Sequence, residues 1–342
     1  METRTDSGVR SESASSDESK PGSERRGRSL LDTRGLIGRY AVVLALLAMI
    51  VVFSLLRPDT FFTSDNFEAI LVTEAALVIL ALGVTIALAA GEFDLSIAAV
   101  VGFSAGLLAH LTSDVGWALI PAMLLTFVAA AAIGALNGIF VVGFGVNSFI
   151  TTLGMGSVVG GVALAIFGAE TIGGLPQDLT TVVRAEVLGI GIAAIFAIAL
   201  GAILWYFLEH TPGGRHLFFT GEGREPARLA GVRVNRIRFG ALVSSALFAW
   251  LAAMVLAGQT GAAQATYGQP FLLPAFAAGF LGATTIKPGR YNAWGTVIAV
   301  YLLAVGTTGL QLLGAANWVE DVFNGAALVL AVTLSRIVSR EA

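Results

Sequence analysis

Ten stretches of this chain are apolar almost without interruption: 40–56, 69–90, 95–111, 117–142, 148–169, 187–208, 237–257, 270–285, 294–313 and 318–337. A helix needs about 20 mostly apolar residues to cross the hydrocarbon core of a bilayer. The sequence therefore predicts an all-α polytopic membrane protein with about ten transmembrane helices. Composition agrees. Only 13% of the residues are charged, against about 25% in a soluble globular domain, so the chain cannot cover itself with polar surface. The third and eighth runs are short, and the fourth is long enough to tilt or break. The fifth, SFITTLGMGSVVGGVALAIFGA, is dense in Gly and Thr and is expected to be re-entrant or discontinuous.

Lys and Arg orient the spans. The tail before the first run carries Arg25, Arg26, Arg28, Arg34 and Arg39, and six spans later a loop carries Arg215, Arg224, Arg228, Arg233, Arg236 and Arg238. Lys287 and Arg290 lie between runs eight and nine, and Arg336 and Arg340 near or after the tenth. An even number of crossings separates these clusters, so all of them fall on one side. Of 20 basic residues only Arg57 and Arg184 fall on the other. Both termini are thus expected in the cytoplasm. Residues 1–39, rich in Ser, Glu and Arg, cannot bury enough apolar surface to fold and read as a disordered cytoplasmic tail without the pattern of a cleaved secretory signal. Residues 40–338 form the transmembrane domain, with 209–236 its main cytoplasmic loop.

The chain offers little to an enzyme. It has no cysteine and only three histidines, none at metal-ligand spacing. It has no HExxH and no Gly-rich nucleotide loop. Gly102-x-Ser104-x-Gly106 matches a nucleophile elbow, but that elbow requires a strand-to-helix turn and this one lies in a helical run. Nothing points to nucleic acid. If ATP drives this protein, another polypeptide binds it and its Mg. The motifs Gly102–Gly106, Gly134–Gly138 and Gly156–Gly160 give helices flat faces for close approach. One loose internal echo relates LGVTIALAAGEFDLSIAAVVGFSAGLL to LGATTIKPGRYNAWGTVIAVYLLAVG.

Three polar features stand out. Glu74 falls within the second run, where a carboxylate suits either an ion relay or a wet outer vestibule. Glu92 and Asp94 interrupt the boundary between runs two and three. Asp94 and Ser96 are expected to cap the third helix by accepting from its first N–H groups. In the 209–236 loop, Pro226 suits a first helical turn and Gly231 a stop, so Arg224, Glu225, Pro226, Arg228, Leu229 and Gly231 frame a short amphipathic helix. A solvated basic loop is the plainer alternative.

Four blocks, in order, resemble one family. They are Leu82-Gly-Val-Thr85 through Gly91-Glu-Phe-Asp-Leu-Ser96; Asn137-Gly138 with Asn147-Ser-Phe-Ile-Thr-Thr-Leu-Gly154; Gly221-Glu-Gly-Arg-Glu-Pro-Ala-Arg-Leu-Ala-Gly-Val232; and Leu281-Gly-Ala-Thr284 with Gly295-Thr296. Together they resemble the membrane permeases of bacterial sugar-type ABC importers, the ribose-importer permease family, over roughly residues 40–338. The sequence departs from the family pattern where Glu92 and Ala98 replace Gly, Gly223 replaces Asn, Pro226 replaces Ala, and a Gly-rich turn has become Lys287–Asn292.

The resemblance implies a multi-pass protein of the bacterial inner membrane, paired with a second such permease. Cytoplasmic ATPase subunits would dock on the 221–232 helix, and an extracytoplasmic binding protein would deliver the solute. A neutral, polar path would suit sugars, with Thr85, Ser104, Asn137, Asn147, Thr151, Thr152, Thr284 and Thr285 as candidate lining. The competing expectation is a secondary transporter coupled to ions through Glu74 and Asp94.

Overall fold

The computed structural model describes residues 33–341, with side chains from 40 to 335; the tail expected to be disordered lies outside them up to residue 32. Helix α1, Thr33–Leu56, bends at Tyr40, whose backbone is not helical. Residues 33–39, assigned above to the tail, are therefore helical. There follow α2 (Ser64–Thr73), α3 (Ala75–Ala89), α4 (Ile97–Ala109), α5 (Leu119–Gly138) and α6 (Ser148–Phe167). Next come α7 (Gln177–Arg184), α8 (Ile192–His210), α9 (Pro212–Glu222), α10 (Arg224–Leu229) and α11 (Val234–Thr260). The last are α12 (Leu272–Gly282), α13 (Ala293–Leu312) and α14 (Trp318–Glu341). Sheet among the described residues is confined to two pairs of two-residue strands. The chain is an all-α polytopic membrane protein.

Among the described residues seven helices are long and apolar enough to cross a membrane, or eight if α2 and α3, bent by 43°, are counted as one span. The segments Tyr40–Leu56 and Gln269–Gly282 are apolar but shorter. They coincide with the first and eighth expected spans. At 1.5 Å per residue, α12 is about 16 Å long, half the thickness of a hydrocarbon core.

Discontinuity falls elsewhere than expected. The fifth run is one unbroken helix, α6, and Asn147 caps it, accepting from the N–H groups of Phe149 at 2.9 Å and Ile150 at 3.4 Å. The second run breaks instead, at Glu74. The fourth ends in a π-helical turn over Ile139–Gly143. The sixth begins at Ile192 rather than 187, after a hairpin that pairs Glu186–Val187 with Ile190–Gly191.

Core and periphery follow composition. Every residue of α3 is buried, as expected of a helix apolar on all sides; it packs against α8, α11, α12 and α13. Helices α5, α6, α8 and α14 leave Leu124, Ile150, Ile203 and Val329 exposed, apolar faces that only lipid or another subunit can cover. Two of the three glycine motifs pack as expected. A Cβ on Gly102 would overlap the Ala265 carbonyl oxygen and one on Gly106 would strike Phe167, while a Cβ on Gly134 would meet α11 at Val243 and one on Gly138 would strike Phe239. The third packs at one end only: a Cβ on Gly156 would lie 3.5 Å from Ser96 Cα, while among the described residues nothing lies within 4 Å of a Cβ on Gly160.

The connections sort into two ends of the bundle. At one, Ser113 donates to the Gly174 carbonyl at 3.1 Å, Ile172–Gly173 pairs with Ala262–Ala263, and Arg184 donates to the Gln259 carbonyl at 2.9 Å. At the other, residues 90–96, 209–233 and 283–292 meet. The last two are segments that charge alone put on a common side.

Candidate functional site

The basic segment 209–236 is mostly helical rather than a loop. Thr211 accepts from the Gly214 N–H at 3.2 Å and Pro212 occupies the first helical position, so α9 starts as capping rules require. After extended Gly223, α10 runs through Pro226 in its first turn to Gly231, whose φ of +81° closes the helix in a conformation that costs a side chain. Only Ala227 of α10 is buried. Arg228 and Glu225 pair at 3.0 Å in the open, a contact of small worth. Leu229 is 88% exposed. This is an apolar knob ringed by charge.

The inner edge of α10 is different. Arg224, its first residue, donates to Glu92 Oε1 at 2.9 Å, and Arg238 of α11 donates to the same oxygen. Glu92 is wholly buried. Arg238, grouped above with the basic loop, is buried within α11. Its guanidinium is what allows a carboxylate at a site sealed from water.

Glu92 belongs to an unwound stretch between α3 and α4. Irregular backbone survives inside a membrane protein only where other groups satisfy it. Ser148 accepts from the Phe93 N–H at 3.1 Å, and Thr152 accepts from the Leu95 N–H at 3.0 Å and lies 3.2 Å from the Phe93 carbonyl. Gly91, at φ +75°, makes the turn that starts the stretch. Asp94 Oδ1 accepts from the Ser96 N–H at 3.1 Å and the Ser96 hydroxyl at 2.6 Å, and Asn137 donates to that hydroxyl at 2.8 Å. The expected cap is thus half right. Asp94 holds one backbone N–H, whereas Ser96 makes no capping bond, because its hydroxyl is spent between Asp94 and Asn137. Phe93 stacks on Phe276 of α12 at 6.3 Å.

A second polar joint ties 283–292 to α9. Lys287 donates to Glu209, Arg290 lies 3.7 Å from the same carboxylate, and the Arg290 guanidinium sits 3.7 Å over the Phe218 ring. Asn292 holds the turn: its amide donates to the carbonyls of Gly282 at 2.9 Å, Thr285 at 3.1 Å and Arg290 at 3.2 Å, while its Oδ1 accepts from the Gly295 N–H at 2.7 Å. Asn292→Ala strands these buried groups. It is expected to cost about 1–3 kcal/mol, read as a lowered thermal midpoint of the detergent-purified protein; an unchanged midpoint would show that the turn holds itself.

The remaining expected path residues do not share one passage. Thr85 is buried and bonded at 2.8 Å to Thr296 and to the Ala81 carbonyl. Thr284, also buried, donates to the Leu281 carbonyl at 2.8 Å. Ser104 is buried in α4 and Thr151 lies beside Thr152 on α6, both hydroxyls enclosed by protein. Asn147 is exposed. Glu74 lines a cleft of about 590 Å³ at the opposite end, shared with Asp65, Glu68, Arg184, Glu186 and Gln259. Among the described residues no group of three or more His, Asp and Glu side chains is placed to hold a metal. The sequence reading missed the partners of Glu92 and the Glu209–Lys287–Arg290 cluster; its one available signal was a carboxylate and an arginine set in apolar surroundings.

Residues 66–332 match the family described as branched-chain amino acid transport system / permease component. The D-allose transport system permease protein of Escherichia coli K12 is 27% identical over 302 residues, covering 88% of this chain and 93% of that protein. An autoinducer 2 import system permease protein of Photorhabdus temperata is 32% identical over 261 residues, covering 74% and 78% respectively. That of Photorhabdus luminescens is 30% identical over 260 residues, with the same coverage. No solved structure matches the chain significantly.

Proposed function

This chain belongs to the branched-chain amino acid transport system permease family, and from that membership we propose that it is the membrane subunit of an ABC importer for a sugar or sugar-like solute. A transport permease is not an enzyme, and the energy enters through separate ATPase subunits that bind ATP and Mg. The solute class rests on the names of its relatives, which transport D-allose and autoinducer 2, and on a polar inventory of neutral Thr, Ser and Asn. The resemblance to ribose permeases narrows no further than this class.

The observation that carries the reading is α10: a short helix closed at its C-terminal end by Gly231, with Arg228 and Leu229 facing outward at the basic end of the bundle. A rigid knob of this kind fits a groove on a cytoplasmic ATPase. Its partners are then that ATPase, a binding protein at the opposite end, and a second permease copy against the exposed apolar faces. The protein sits in the bacterial inner membrane with both termini in the cytoplasm. Closure of the ATPases would rock span bundles and open a way past Phe93, Asn137 and Thr152.

Proteoliposomes holding this chain, its ATPase and its binding protein should import solute only with ATP inside the ATPase compartment. Uptake by this chain alone, driven by a proton or sodium gradient and lost in Glu74→Gln, would replace this reading with an ion-coupled transporter.

A further inference from the structure

Glu92 Oε1 takes two guanidinium groups, and their surroundings are unequal. The Glu92 side chain is 0% exposed, that of Arg238 is 10% exposed, and that of Arg224 is 49% exposed. A buried carboxylate cannot be left alone, and Arg238, fixed in α11, keeps it paired whatever else moves. Arg224 can therefore leave for water without stranding a charge on either side. A weld has been made into a contact that can be made and broken.

The backbone beside it provides a pivot. A Cβ on Gly221, near the end of α9, would overlap the Ala89 carbonyl oxygen and come within 3.2 Å of the Gly91 nitrogen. A Cβ on Gly91 would come within 3.3 Å of the Gly221 Cα. The α9–α10 unit thus rests backbone-to-backbone on the start of the unwound stretch, and Arg224 sets its angle. Beyond Glu92 the stretch is tied to α6 through Ser148 and Thr152 and to α5 through Asp94, Ser96 and Asn137.

We propose that Glu92 is a positioning residue that joins the docking helix α10 to the α3–α4 break, with Arg238 as its fixed counter-ion and Arg224 as the releasable one. The joint rests on the reading of α10 as the ATPase-docking element. Glu92 itself touches neither ATPase nor solute, so its effect is on transmission between them.

The test is the number of solute molecules imported per ATP hydrolysed, in proteoliposomes holding the full assembly. Glu92→Met with Arg238→Met removes the joint without leaving a buried charge and leaves the outward face of α10 unaltered. The ATPase should still co-purify, while solute per ATP falls at least about fivefold, the lower end of ordinary intersite coupling. Arg224→Gln should give the same fall, Arg224→Lys should stay near wild type, and Arg224→Gln added to the double variant should cost nothing more. The joint is overturned if the double variant keeps the wild-type ratio, if it loses the ATPase, or if the defects multiply. Should the double variant not fold, the Gln and Lys forms of Arg224 decide: equal behaviour in both overturns it. Wild-type uptake that ignores ATP would instead sink the importer reading itself, a result distinguishable from an ATP-driven wild type whose variants couple normally.

Discussion

Arg238→Met is expected to lower the thermal midpoint of the purified protein by on the order of 10 °C, and Glu92→Met added to it is expected to restore most of the loss. Breaking a buried ion pair from one side typically costs about 3–5 kcal/mol, because the remaining charge has neither water nor partner. For a chain of this size each kcal/mol moves the midpoint by a few degrees. Glu92 would keep only Arg224, whose half-exposed side chain cannot replace a counter-ion fixed in α11. Replacing both members by unbranched apolar side chains removes the stranded charge, and such exchanges are often neutral or better. Tryptophan fluorescence during heating in detergent reads the midpoint. A single variant as stable as wild type would mean that water reaches Glu92, and a double variant no better than the single would mean that packing of the Arg238 stem, rather than charge, is what the site needs.

The positions of the apolar runs were legible because bilayer thickness imposes a length on each; among the described residues seven helices are long enough to cross, or eight with the bent α2–α3 pair, and two more runs form shorter helices. Segments 209–233 and 283–292, which their basic residues put on a common side, do meet at one end of the bundle. The start of α9 was written in Thr211-Pro212, yet the surrounding charge made the segment read as a loop. Breaks were harder. Helix α3 is apolar all round, so no periodicity marks which face binds which neighbour, and no Gly or Pro marks the kink at Glu74. Glycine density in α6 read as weakness, yet the helix is unbroken although among the described residues nothing lies within 4 Å of a Cβ on Gly154, Gly160 or Gly161; a helical glycine costs only about 1 kcal/mol against alanine.

The candidate site was legible in its parts and not in its connections. Asp94, Ser96, Asn137 and Thr152 appeared as separate polar positions, and the structure assembles them around one unwound stretch. Glu92 appeared as an anomaly. Its partners Arg224 and Arg238 lie 132 and 146 positions away, and no local pattern relates residues at such distances. What the sequence does carry is the cost: a carboxylate in an oily stretch demands a cation, and Arg238, at the edge of an apolar run, is one of few that could be drawn in. The expected path residues failed to form a passage for a related reason. The hydroxyls of Thr85, Thr152 and Thr284 are occupied by carbonyls of their own or neighbouring segments, whereas those of Ser104 and Thr151 are enclosed by protein without a hydrogen-bond partner among the described residues.

Gly268→Ala is expected to destabilise the protein by roughly 3 kcal/mol, although it adds a single methyl group. Gly268 has φ −82° and ψ −16°, an ordinary conformation that alanine adopts freely, so the backbone gives no reason for a loss. Reducing the freedom of the unfolded chain would by itself stabilise by up to about 1 kcal/mol. Space decides the sign. A Cβ at 268 would overlap the Ala98 carbonyl oxygen and approach Val101 Cβ to 2.8 Å. The contact is reciprocal, since a Cβ on Gly102 would overlap the Ala265 carbonyl oxygen. Both obstacles are backbone of α4 and of the segment before α12, so neither can swing aside as a side chain could. Gly240→Ala is the control. It lies within α11 with nothing within 4 Å of its Cβ, and better helix propensity should leave stability unchanged or raise it by up to about 1 kcal/mol. Thermal midpoints of the two variants, measured side by side, should therefore move in opposite directions from wild type or leave only Gly268→Ala lowered. A Gly268→Ala protein as stable as wild type would show that α4 and the 262–271 segment do not pack backbone against backbone.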